Sequence, residues 1–196
     1  MAEAGPVRSL AIALAMALTA SIAAGAERAT AATHGETPAA REQARLCERK
    51  NLEEGVGACR AALALGIGPE RRGPVREMLA KHLVALEKWD ELAELLREGV
   101  RLDPASAAAW QRLGLTLLFA LGEPAEATGA LEEAARLAPR DASVRVGLAL
   151  ALHAAGRAKE AATEFEEALR IDPAVLDGRP AARAAMEAAG RGEPWP

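Results

Sequence analysis

The sequence predicts an all-α chain of stacked antiparallel helix pairs, closed at its C-terminal end by a capping helix. Three observations predict it. Ala supplies about a quarter of the 196 residues, with two Phe, three Trp and no Tyr, so helix formers dominate and a core of large residues is excluded. One apolar pattern returns every 34 or 35 residues. Each return holds two stripes with apolar residues at i, i+3, i+4 and i+7, the signature of amphipathic helices. The length suits one domain. Net charge is -4, from 24 basic and 28 acidic residues. That offers no basic face to nucleic acid, and so few aromatics offer no base-stacking platform.

Residues 1–26 read as a secretory signal peptide. Arg8 makes the start positive, residues 9–24 are uncharged, and Ala24-Gly25-Ala26 has the small-x-small form cut after Ala26. The alternative is an uncleaved membrane anchor, but the apolar stretch falls short of the ~20 residues a spanning helix needs. No Cys lies near enough for lipoprotein processing. The expected address is therefore outside the cytoplasm, in a periplasm or secreted, with no membrane attachment after cleavage. Residues 27–40 (ERATAATHGETPAA) lack an apolar period and read as a disordered tether, on which His34 is a solvated residue.

The repeat places Leu79, Leu113 and Leu148 in register, each followed by Ala80, Gly114 or Ala149. Leu83, Leu117 and Leu152 come four residues later. Leu92, Ala127 and Ala161 begin the second stripe, followed by Leu96, Leu131 and Phe165, then Gly99, Ala134 and Ala168. Pro104, Pro139 and Pro173 close the units, because a proline pushes the preceding residue out of the helical region. Gly122 and Gly156 punctuate two of the units between helices, and Glu87-Lys88 the first. The small residues at Ala80, Gly99, Gly114, Ala127, Ala134, Ala149, Ala161 and Ala168 are expected to let helix backbones approach closely. One extra residue in the middle unit is expected in a turn around Leu121-Gly122-Glu123-Pro124.

This pattern resembles the tetratricopeptide repeat (TPR). Trp110, Leu113, Gly114 and Leu117 match its W-x2-L-G-x2-Y opening with Leu for Tyr, and Ala127, Leu131 and Pro139 match its close with Leu for Phe. The resemblance covers residues 73–175 as three units, 73–106, 107–141 and 142–175. A degenerate hairpin at 41–72 precedes them, and 176–196 form a capping helix and tail. Pro180 suits the first position of that helix and Gly190 its end. Trp195 either folds back on the cap or protrudes toward a partner.

The resemblance implies a right-handed superhelical solenoid whose first helices line a concave face. Carried onto this sequence, the lining is Glu77, Lys81, Val84 and Ala85, then Gln111, Leu115, Leu118 and Phe119, then Val146, Leu150 and His153. Lys81, Gln111, Leu115, Phe119, Val146, Leu150 and His153 make up the candidate partner groove. Leu118 and Phe119 can instead be core between adjacent units. An apolar groove suits a helix or an extended peptide. One branch of the family clamps a terminal carboxylate with Lys, Asn and Arg. Glu77, Gln111, Leu115 and Leu150 at groove positions depart from that set.

Cys47 and Cys59 are the only cysteines. On a hairpin turning near residues 50–53 they face one another, and an exported chain should join them. Closing such a loop stabilises by roughly 3 kcal/mol. The alternative is two small buried hydrophobes. With no nearby His, two Cys are too few for zinc, so no metal is expected.

Catalytic spacing is absent too. His82 and His153 fall on separate units, no phosphate-binding glycine loop is present, and Glu132-Glu133 and Glu166-Glu167 read as solvated faces. No cofactor is expected. Glu94 with Arg97, and Glu167 with Arg170, should pair within their helices. The sequence thus points to an exported, non-catalytic adaptor for a protein or peptide. The alternative is a structural part of an envelope complex or homo-oligomer.

Overall fold

A computed structural model describes residues 36–49 and 51–194. Among the described residues there are nine α-helices, one π-turn and no strand: α1 Pro38–Arg49, α2 Leu52–Ala64, α3 Pro69–Ala85, α4 Trp89–Leu102, α5 Ala107–Thr116, the π-turn Leu117–Leu121, α6 Pro124–Leu137, α7 Ala142–Ala154, α8 Ala158–Ile171 and α9 Pro180–Gly190. No helix among them is long and apolar enough to cross a membrane. The signal-peptide segment, most of the tether with His34, and Trp195 lie outside the described residues. The tether's end does not: Pro38–Ala40 open α1, with Thr37 Oγ1 accepting from the Ala40 N–H at 3.1 Å. Helix α3 starts at Pro69, four residues ahead of the boundary the period places at residue 73.

Local chemistry sets the helix ends. Asn51, Ser106 and Asp141 cap α2, α5 and α7 by accepting from backbone N–H groups one turn on. Asp103, Ala138 and Asp172, each before a proline, leave the helical region and end α4, α6 and α8. Between paired helices the chain turns through a left-handed residue. Gly122 and Gly156 supply it in two units at φ 68° and 80°, while Glu87 adopts φ 55° in the first. That conformation costs little for glycine and more for a residue with a Cβ. At the C-terminal end the left-handed position is Gly192 rather than Gly190, which stays within α9.

The extra residue of the middle unit is absorbed differently from the expected turn. It enters the helix as the π-turn, where the N–H groups of Gly122 and Glu123 both reach the Leu117 carbonyl. The hydrogen-bonded ladder survives with one residue more per turn, so the following loop stays short.

Small residues do let helices close up. A Cβ on Gly114 would lie 2.5 Å from Leu131 Cγ, so α5 and α6 can pack at this distance only around a glycine. Ala127, Ala134, Ala149, Ala161 and Ala168 are buried as well. Gly99 is the exception: a Cβ there would meet nothing within 4 Å.

The core forms two clusters. One joins buried residues from Ala40 to Leu92, and the other runs from Val100 to Ala189. Leu96 on α4 packs against both. Ion pairs stitch successive pairs along the surface. Arg97 forks onto Glu126 at 2.9 and 3.0 Å, and Lys88 reaches Glu53 at 2.9 Å. The hydrogen bond that Arg97 donates to Glu126 holds its guanidinium above its ordinary pKa, against a smaller opposing effect of burial. Exposed pairs of this kind add about 0–1 kcal/mol each. The expected Glu94–Arg97 and Glu167–Arg170 pairs are present at 2.8 and 2.6 Å.

Candidate partner-binding cleft

Helices α3 and α5 carry the candidate site. Their C-terminal ends, with the start of α4, enclose an open apolar cleft of about 410 Å³ lined by Val84, Trp89, Leu92, Leu115, Thr116, Phe119 and Ala120. Phe119 is 62% exposed and Val84 46% exposed. Phe119 follows two buried leucines and faces out. Leu117 and Leu118 keep the core contacts, while each residue along a helix turns the face by about 100°, which leaves Phe119 on the solvent side. Phe119 therefore resolves to surface and Leu118 to core.

Polar contacts tie the neighbouring helices together. Arg112 on α5 donates to Glu77 on α3 at 2.7 Å, which fastens the two walls together. Lys81 is exposed on α3. Gln111 is half-buried and donates to Ser143 Oγ at 3.3 Å, so it ties α5 to α7. Of the seven candidate groove residues, the structure brings Leu115 and Phe119 together in the cleft, while Lys81 and Gln111 are not part of its lining.

Val146, Leu150 and His153 are a correction. They are buried, His153 to 1% exposure, and cannot line an open groove. Helix α9 packs on α7 and α8 and covers this face. The His153 ring Nε2 shares a hydrogen bond with the Glu193 carbonyl at 2.9 Å, in the segment just after α9. The cause was written in α7 itself, which is apolar nearly all round, and such a helix is enclosed. Trp89, by contrast, reads as core from its position but is half-buried and forms one cleft wall. Trp110 packs half-buried against the core while its Nε1 donates to the Pro104 carbonyl at 3.0 Å.

A second constellation lies in the first cluster. Cys47 on α1 and Cys59 on α2 form a disulfide with Cα atoms 4.7 Å apart, within the usual range. His82 on α3 is 7% exposed and lies against the pair. Its Nε2 shares a hydrogen bond with the Cys47 carbonyl at 2.9 Å. The expectation that no His stands near the cysteines is thus corrected. Donor atoms of Cys47, Cys59 and His82 all lie within 4.8 Å of one another. Sequence distance hid His82, although its place on the apolar stripe between Leu79 and Leu83 marked it as inward-facing.

Helix pairs of this kind, stacked by small residues and closed by proline, have known counterparts. Residues 116–175 match the tetratricopeptide repeat family. No curated protein sequence matches the chain. The structure is similar to that of MamA, with TM-score 0.63 and 22% identity over 79% of this chain and 82% of that one. YrrB, described as a TPR protein with an unusual peptide-binding site, has TM-score 0.60 and 20% identity over 80% and 77%. The thermophilic TPR protein TTC0263 of Thermus thermophilus has TM-score 0.54 and 23% identity over 76% and 78%. The fold is an all-α, right-handed TPR solenoid of antiparallel helix pairs with a C-terminal capping helix.

Proposed function

We propose that this chain is a non-catalytic adaptor that holds an apolar segment of a partner protein in the cleft between α3 and α5. The observation that carries this reading is Phe119, a large aromatic side chain left exposed beside the exposed Val84 in one apolar cleft. Exposed aromatic and aliphatic anchors clustered in one concavity are the usual core of a binding site. The peptide-binding site named for the similar YrrB is in keeping with it. Peptide display selection against the purified protein tests the reading. Binders should be lost from a Val84→Asp, Phe119→Asp double variant whose helical circular dichroism is unchanged. Binders retained at full strength by that variant would sink it.

The reading includes export. Residues 1–26 have the composition of a secretory signal peptide, and the Cys47–Cys59 disulfide suits an oxidising compartment. Mass spectrometry of the protein from its host should find a mature start at Glu27; an intact Met1 in the mature fraction would count against export by cleavage. Self-association through the same cleft is the competing use of Phe119. Light scattering separates them, since a monomer at micromolar concentration leaves the cleft open to a different partner.

A further inference from the structure

We propose that Cys47, Cys59 and His82 form a binding site for a soft monovalent cation, cuprous copper, which opens when the disulfide is reduced. The three donors come from three helices, α1, α2 and α3, and all are buried. Three donors around one such ion, each about 2.0–2.3 Å from it, stand about 3.5–4 Å from one another. The donor atoms lie within 4.8 Å of one another while the two sulfurs are still bonded, so opening the disulfide has only to part the sulfurs to reach that spacing.

His82 is the residue that needs explaining. Its cluster is otherwise made of aliphatic side chains and the cysteines, and burying an imidazole there costs free energy that Leu or Val would not cost. Space is made for it: a Cβ on Gly55 would lie 2.5 Å from His82 Nε2. The backbone also positions the ring, through the Nε2 hydrogen bond with the Cys47 carbonyl. With Nε2 given to the Cys47 carbonyl, Nδ1 is the ring nitrogen left to ligate, as in metal-binding histidines whose other N–H is held by a backbone carbonyl.

The disulfide form cannot ligate the ion. A dithiol reductant would open it, giving two electrons and two protons to Cys47 and Cys59 and becoming a disulfide itself. Cuprous ion would then displace both thiol protons to solvent and bind two thiolates and the neutral imidazole. Thiolates are soft donors that favour cuprous copper and zinc. Among the described residues no fourth His, Cys, Asp or Glu joins the three, whereas structural zinc takes four. The set therefore favours copper. Bound copper would hold α1, α2 and α3 together where the disulfide had held α1 to α2.

The test uses the whole protein, oxidised or reduced by a phosphine that is then removed without oxygen. Each form is titrated with cuprous ion from a coloured cuprous chelator, and helicity is followed by circular dichroism. The reduced protein should take one copper per chain and the oxidised protein none. Any helicity lost on reduction should return with copper. His82→Gln keeps both thiols and should bind at least ten-fold more weakly. Equal binding by His82→Gln, or equal binding by the oxidised form, would overturn the site. A parallel zinc titration checks the ion: one zinc per chain without copper binding overturns the choice of copper.

Discussion

From Ala40 to Leu92 the buried residues include a disulfide and an imidazole, and the helix pairing of α1 with α2 follows the repeat poorly. From Val100 to Ala189 the buried hydrophobic residues are Ala, Leu and Val around one Phe, with Thr128 and His153 buried beside them and no covalent link, on helices that keep the repeat closely. Regular units bury enough surface through close backbone contact. The irregular hairpin packs its two helices closely as well and adds a covalent link between them. The turns repeat the contrast, with Gly122 and Gly156 in the later units and a strained Glu87 in the earlier one.

The largest effect that would break this contrast lies in the second cluster. Phe165 is fully buried, and Phe165→Ala should cost about 3–5 kcal/mol. Urea denaturation should show the loss, with hydrogen exchange accelerating first in α6 to α8. Removing the staple comes next. Cys47→Ser with Cys59→Ser should cost about 3 kcal/mol. Exchange should then rise in α1 and α2 while α6 to α8 stay protected, and uniform loss of protection would show the two clusters to be one cooperative unit.

Glycines sharpen the comparison on a smaller scale. Gly114→Ala drives a methyl group into Leu131 and should cost about 1–3 kcal/mol. Gly129→Ala on α6 meets open space and should stabilise by up to about 1 kcal/mol. Thermal melts of the two variants should therefore move in opposite directions.

Acid gives the smallest effect. Hydrogen bonds from Arg157 and Arg170 hold the Glu160 and Glu167 carboxyls on α8 below the ordinary glutamate range. Their folded-state pKa values are depressed, so the stability they add is complete above that range and is lost as pH falls through the folded values. Melting temperature should drop slightly on acidification below about pH 4.3, and less so in a Glu160→Gln, Glu167→Gln variant.

Much of this was legible because it is periodic. Leu79, Leu113 and Leu148 located the first helices, and the prolines their ends. What escaped was whatever depends on neighbours in space. The added residue was visible in the count but not its form, since a turn and a π-turn lengthen a unit alike. Val146, Leu150 and His153 sit at groove positions, yet α9 covers them, and a family's lining cannot show which unit is the last. Phe119 was ambiguous because exposure and burial on that helix differ by one residue of rotation. His82 escaped because 35 residues separate it from the Cys47 carbonyl it touches.

Leu96 gains a meaning from this contrast. It is the side chain that packs against both clusters, on the outer helix between them. Under a pull along the solenoid, load passing from one half to the other crosses α4 at this point, with the Arg97–Glu126 fork beside it. Leu96 and the fork beside it are thus the points at which the two clusters are joined through α4. The cleft straddles the same seam, with Val84 and Leu92 on one side and Leu115 and Phe119 on the other, so a partner seated in it would touch both halves at once.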